Sequence, residues 1–210
     1  MKSTIEIMVA GEEHIPCLKT ILDTIEVAAK NRGTGIARRS PEYVKQKMLE
    51  GKAIIAMAGD EFAGFCYIET WSNKHFVANS GLIVSPRFQG HGLAKHIKQF
   101  AFEYSRRRYP EAKLFGLTSG LAVMKINTKL GYVPTTFSEL TDDESFWNGF
   151  KTCVNYDVLQ RNSCTRCICT ALIYNPAHHK DDHLGEKPLA PGEKPEPMVL
   201  VIDEDAKKEK

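Results

Sequence analysis

Along the first eleven residues Ile5, Ile7 and Val9 alternate with polar positions, the period-two pattern of a half-buried strand. Apolar residues then recur at helical spacing (Ile15, Leu18, Ile21, Leu22, Ile25, Ala28, Ala29), which predicts an amphipathic helix over residues 12–30. Asn31-Arg32-Gly33-Thr34-Gly35 breaks it. Ser40-Pro41-Glu42-Tyr43 opens a second helix, with Ser40 as N-cap and Pro41 at the first helical position, ending near Gly51. Two apolar runs, 52–58 and 62–70, flank Gly59-Asp60-Glu61 and read as a hairpin, and 76–84 is a further strand. Leu93, Ile97, Phe100, Ala101 and Tyr104 mark one face of a helix that Pro110 stops. A short strand over 113–118, a helix over 121–130 closed by Gly131, a lead-on over 132–137 and a last strand over 165–174 complete the series. The order β-α-α-β-β-β-α-β-α-β predicts an α/β fold with a mixed sheet, antiparallel first and parallel later.

Composition refines this outline. With 210 residues, 42% of them hydrophobic, the chain is long enough for one domain with a sizeable core. No apolar run approaches a membrane span, and residues 1–11 lack the apolar core and cleavage site of a signal peptide, so a cytoplasmic protein without a membrane partner is expected. A net charge of only +2 argues against nucleic acid as a partner. Arg106-Arg107-Arg108 falls at a helix end, where cations complement the macrodipole. After Tyr174 the chain turns rich in Pro, Asp, Glu and Lys, which divides it into a domain over 1–174 and a largely mobile tail over 175–210. Within that tail Met198–Ile202 is an apolar island suited to docking on a sheet edge.

The chemistry concentrates at Gly81 to Ala94. A strand ends at Val84, Pro86 follows, and Gly90 and Gly92 stand where a helix begins. Glycines let the backbone approach an anion, and a helix N-terminus offers unpaired N–H groups with partial positive charge. Together they make a site suited to a diphosphate. The Gly-Lys-Ser/Thr of a Walker loop is absent, as are the three glycines of a dinucleotide fingerprint.

Gln89-Gly90-His91-Gly92-Leu93-Ala94, set behind a Val-x-Pro strand end and ahead of a long amphipathic helix, resembles the signature of the GNAT acyltransferase superfamily. The order of elements over residues 4–174 is similar to that family as well. The resemblance implies an enzyme, an acyl-CoA-dependent N-acyltransferase in which an amine attacks the thioester directly. It implies that the loop Gln89, Gly90, His91, Gly92, Leu93 and Ala94 holds the cofactor's pyrophosphate. The pantetheine arm then lies between the fourth and fifth strands, beside Leu82, Ile83 and Val84. The donor is acetyl-CoA or another acyl-CoA such as succinyl-CoA. A succinyl group would call for an extra cation in the cleft, and no residue announces one.

Many members of that family place a tyrosine four residues before the Gly of a Leu-Gly-Phe/Tyr ending. Here Leu130-Gly131-Tyr132 supplies the ending, and Asn127 stands in the tyrosine's place. Asparagine cannot act as a general acid, but it can hydrogen-bond the cofactor's sulfur or pantetheine. Tyr132, Thr118 and Ser119 are other candidates for proton donation, with Tyr132 equally readable as a core aromatic. Glu69, at the end of the third strand, is the candidate base.

Leu114-Phe115-Gly116-Leu117-Thr118-Ser119, the following helix, Val133-Pro134 and Ser138-Glu139-Leu140 resemble the acyltransferase domain of N-acetylglutamate synthases. That implies a small amino-acid acceptor such as glutamate, and Arg32, Arg38 and Arg39 are cations suited to its carboxylates. A protein or peptide N-acetyltransferase and a non-catalytic acyl-CoA-binding module are the alternatives, and a homodimer is left open. Cys153, Cys164, Cys167 and Cys169 include one C-x-x-C, too little for zinc without a second pair; free thiols and no metal are expected.

Overall fold

A computed structural model describes residues 2–32, 39–179 and 187–206; for residues 31 and 32 it describes the backbone alone. The strands are β1 (Lys2–Val9), β2 (Ala53–Ala58), β3 (Glu61–Trp71), β4 (Phe76–Val84), β5 (Lys113–Thr118), β6 (Val133–Thr135), β7 (Thr170–Tyr174) and β8 (Met198–Asp203). The helices are α1 (Leu18–Arg32), α2 (Pro41–Leu49), α3 (Leu93–Arg108), α4 (Leu121–Lys129), α5 (Glu144–Asn148) and α6 (Tyr156–Arg161). Among the described residues the strands form one sheet in the order β6-β7-β5-β4-β3-β2-β1-β8.

Local chemistry accounts for most boundaries. Ser40 accepts a hydrogen bond from the Tyr43 N–H and Pro41 occupies the first turn of α2, as its sequence predicts. The helix expected over 12–30 divides, because Pro16 lies inside a 3-10 segment, Glu12–Cys17, and the α-helix starts at Leu18. The strand expected from residue 165 starts at Thr170. The segment Met198–Asp203 pairs antiparallel with β1, from Lys2↔Asp203 to Ile7↔Met198, so the apolar island covers a sheet edge.

Three clusters share the interior. α3 lies on one face of the sheet, where Ile97, Phe100 and Ala101 meet Ile54, Ile68 and Val77. α1 and α2 lie on the other, bringing Ile21, Ile25, Val44 and Met48 against Ile55 and Phe65. The third is built around Phe115, Phe137, Phe146 and Leu159 by the stretch that carries α5 and α6. Each fully buried Ile or Phe in them contributes about 1.5–3 kcal/mol.

One irregularity decides where a ligand can enter. β4 and β5 run parallel, but their pairing is confined to Phe76↔Lys113, Val77↔Leu114 and Ala78↔Phe115. Beyond that point β5 continues along β7 as far as Thr118↔Thr170, while β4 stays with β3 as far as Val84↔Gly64. The two strands fork. A bulge in β4 lies just past the fork: Phe65 pairs with Ile83, yet Tyr67 pairs with Ser80. Gly81 carries it at φ +66°, and a Cβ there would sit 2.3 Å from the Tyr67 ring, so both backbone and space demand glycine.

Candidate active site

The loop that joins β4 to α3 closes one end of the fork. Gly90 and Gly92 have φ of +89° and +81°, and Gly92 is the N-cap of α3. This left-handed turn leaves the backbone N–H groups of Gly90, His91, Gly92, Leu93 and Ala94 without a hydrogen-bond acceptor among the described residues. A Cβ on Gly92 would meet nothing within 4 Å, so space above the turn is open. The Gln89 side chain fastens the loop by donating Nε2–H to the Val84 carbonyl at 3.0 Å. Free amides and an open approach suit a diphosphate.

The end of β8 abuts the same loop. Arg87 pairs with Glu61 and, at 2.9 Å, with Glu204, whose carbonyl lies 3.4 Å from His91 Nε2. His91 Nδ1 is buried without a partner. His91 is thus placed at the loop, with one ring nitrogen turned to the chain's own C-terminal strand.

The fork opens into a cavity of about 350 Å³. β4 lines it from Ala78 to Leu82, β5 and the turn after it from Phe115 to Gly120, and α4 with Val123 and Asn127. Phe137, Phe146, Phe150 and Leu159 roof it. Leu82 thus faces the cavity, Ile83 is buried against the α1–α2 side and Val84 is half-buried. Thr118 and Ser119 lie on the wall, and Thr118 Oγ1 is engaged by the Gly120 N–H at 3.0 Å.

Arg39 lines this cavity, and Glu69, thirty residues away in sequence, lies within reach of its charge without lining the cavity itself. Tyr43 donates its hydroxyl to Glu69 Oε1, and Arg39 Nε donates to the Tyr67 hydroxyl at 2.5 Å. The Arg39 guanidinium also lies over the Tyr43 and Tyr67 rings, 5.7 and 5.9 Å from their centroids. Burial pushes the Glu69 carboxyl above the ordinary carboxylate range, and the Arg39 charge and a Ser80 hydrogen bond only partly offset it. A carboxylate with raised proton affinity near a fixed cation is a better proton acceptor than an ordinary carboxylate.

The other expected residues are placed as follows. Asn127 is buried, lines the cavity, and its Oδ1 has no partner. Its orphan atom as assigned is therefore an acceptor, which fits an amide N–H of a pantetheine arm better than a sulfur. Tyr132 is buried between Phe102 and Tyr174, outside the cavity lining, and burial raises its pKa. It holds its proton and packs. Arg38 lies outside the described residues, as does the side chain of Arg32. Cys153, Cys167 and Cys169 line the cavity, none of them in a disulfide, and Cys164 packs against the Phe115–Phe146 cluster. Among the described residues no three His, Cys, Asp or Glu side chains are grouped to hold a metal.

One site residue escapes the sequence pattern. Lys98 of α3 is 2% exposed, yet it lines the cavity at the fork. Its Nζ donates to Asn79 Oδ1 at 3.2 Å and lies 5.3 Å from the Tyr132 ring centroid. Asn79 is held in turn by donating Nδ2–H to Ser105. Burial lowers the Lys98 pKa to about 8 and raises that of neighbouring Cys66 to about 11.

Comparison with known proteins agrees with this geometry. Residues 37–131 match the model of the acetyltransferase (GNAT) family. The fold is similar to N-acetylglutamate synthase from Neisseria gonorrhoeae complexed with coenzyme A and N-acetyl-glutamate, at 17% identity and TM-score 0.58, over 81% of this chain and 35% of that one. The chain thus spans about a third of the length of that synthase. It is also similar to Rv2747 from Mycobacterium tuberculosis in complex with CoA and NLQ, at 13% identity and TM-score 0.56, over 80% of this chain and 98% of that one. A third likeness is yncA from Salmonella typhimurium with its cofactor acetyl-CoA, at 12% identity and TM-score 0.55, over 81% and 92%. No curated protein matches by sequence. No helix among the described residues is long and apolar enough to cross a membrane. With the motif, the forked sheet and the family match coinciding, residues 37–131 are similar to the GNAT acetyltransferase family and the chain has the GNAT fold.

Proposed function

We propose that the protein is an acyl-CoA-dependent N-acyltransferase whose acceptor is the amine of a small amino-acid-type molecule, glutamate being the first to test. The observation that carries this reading is the succession of loop, fork and cavity: free amides from Gly90 to Ala94 at one end, and Arg39 on the cavity wall with Glu69 near its charge at the other. Two further points support it. The orphan Asn127 Oδ1 offers an acceptor along the fork. The aromatic roof of Phe137, Phe146 and Phe150 encloses a volume that favours a small acceptor over a polypeptide.

Acyl-CoA, when bound, supplies an electrophilic thioester and a thiol as leaving group. The loop amides hold its diphosphate, and β4 from Leu82 to Val84 aligns its arm. Arg39 orients the carboxylate of the acceptor. Glu69 removes a proton from the ammonium, directly or through a water, so that a neutral amine attacks the carbonyl carbon. The C–N bond forms, the C–S bond breaks, and the second proton that the nitrogen sheds on becoming an amide balances the one taken up by the departing thiolate. Thiolates leave readily, so the absence of a tyrosine at Asn127 is no bar to turnover.

The test is coenzyme A release from acetyl-CoA and succinyl-CoA against a panel of amino acids and basic peptides. Turnover on glutamate or a related amino acid is expected. Turnover on peptides alone would replace this acceptor class, and tight acyl-CoA binding without turnover on any amine would make the chain a binding module.

A further inference from the structure

Lys98 is a buried cation without a counter-ion. Among the described residues no carboxylate pairs with it, and of its three N–H donors one is engaged, by Asn79 Oδ1. A buried ammonium left in this state is unfavourable unless an anion reaches it. Its surroundings fix its position. Ser105 holds the Asn79 amide, so the Asn79 oxygen faces Lys98, and the Tyr132 hydroxyl, at 3.4 Å, donates to that same oxygen. Asn79 directly follows Ala78, the last β4 residue paired with β5, so Lys98 stands where the strands part. The Lys98 side chain lines the same cavity as the orphan Asn127 Oδ1. On the acyl-CoA reading, an acyl group delivered along the fork would extend past its carbonyl toward Lys98.

We propose that the base of the fork is a carboxylate subsite in which Lys98 selects acyl-CoA donors whose short acyl chain ends in a carboxylate, the monothioesters of dicarboxylic acids. The inference rests on the reading of the fork as an acyl-CoA site. Lys98 forms a charge-assisted hydrogen bond to the distal carboxylate, while the thioester carbonyl remains at the Glu69 side. A terminal methyl in place of the carboxylate leaves the ammonium desolvated and unpaired. The shared chemistry is a carboxylate at Lys98, and the acceptor's own carboxylate is the competing source.

Binding separates these cases without turnover. Coenzyme A and the thioether analogues of succinyl-CoA and butyryl-CoA, matched in chain length, are titrated calorimetrically into the wild-type chain, Lys98→Met and Lys98→Gln. The succinyl analogue should bind the wild type tighter than the butyryl analogue by roughly tenfold or more. Both variants should lose that preference and keep their affinity for coenzyme A. Equal affinity of the two analogues for the wild type, with coenzyme A bound, would overturn this inference alone. Failure of coenzyme A to bind would overturn the reading beneath it as well. Steady-state kinetics with both thioesters add the last arm. If Lys98→Met raises the acceptor KM, or slows succinyl and butyryl transfer alike, the carboxylate does not come from the acyl chain and the assignment falls.

Discussion

The two ends of the fork are built by different means. At the end proposed for the donor, the groups open to a ligand are backbone amides, and six consecutive residues, Gln89 to Ala94, fix them. At the other end the groups are side chains from distant segments: Arg39 before α2, Glu69 on β3, Asn79 on β4, Lys98 on α3 and Asn127 on α4. A local device tolerates drift elsewhere in the chain, and an assembled one depends on every element that carries a member. The largest effects of substitution should therefore be sharp at the first end and graded at the second.

Gly92→Glu should produce the largest change. Its Cβ has open space, but its φ of +81° strains any L side chain, so a modest loss of stability accompanies a carboxylate set against the diphosphate. Coenzyme A affinity should fall roughly 100-fold by calorimetry, well beyond the loss in Gly92→Ala, which carries the same backbone strain without the charge. Unchanged affinity would remove the loop from the account.

Glu69→Gln tests the assembled end. Loss of the base should lower kcat roughly 100-fold while the KM for acyl-CoA holds. Because burial raises the Glu69 pKa, the acid limb of the kcat profile should lie above the ordinary carboxylate range. Arg39 works against that rise, so Arg39→Met, at saturating acceptor, should move the limb to higher pH. A limb that stays in place would separate the two side chains.

Lys98→Met concerns stability. A lysine held at about 8 binds fewer protons folded than unfolded between that value and its ordinary 10.5, so folding stability rises with pH across this window. Below it the buried ammonium costs about 3 kcal/mol, an order-of-magnitude figure from the shift. Lys98→Met should therefore melt at a higher temperature than the wild type at pH 7, and the gap should narrow from pH 8 upward. A variant less stable at pH 7 would mean that the Asn79 and Tyr132 contacts outweigh desolvation. Arg39→Lys should give the smallest effect, a roughly tenfold rise in acceptor KM, because an ammonium replaces a fork of donors.

The contrast between the two ends also explains what could be read in advance. The loop, the α2 cap at Ser40 and Pro41, the β2–β3 hairpin and the parallel β4–α3–β5 order each have a signature within a dozen residues. Lys98 does not. The face of α3 read from apolar residues is Leu93, Ile97, Phe100, Ala101 and Tyr104, but Lys98, Phe102 and Ser105 form a second buried stripe toward Asn79, Tyr132 and Tyr174. Two of its three members are polar, so hydrophobic periodicity passes over it. Helices α5 and α6, with 5 and 6 residues, are too short for a period to emerge, and their order comes from packing Phe146 and Leu159 over Phe115. The meeting of Glu69 with Arg39 has no local trace at all, although each was a candidate by itself.

The central claim is that the loop and the forked β4 strand receive coenzyme A. Amide chemical shifts recorded during titration of labelled protein with coenzyme A test it residue by residue. The account predicts saturable shifts at Gly90 to Ala94 and at Leu82 to Val84, with α1 and the middle of β1 undisturbed. Binding that shifts other amides and leaves Gly90 to Ala94 in place would contradict it.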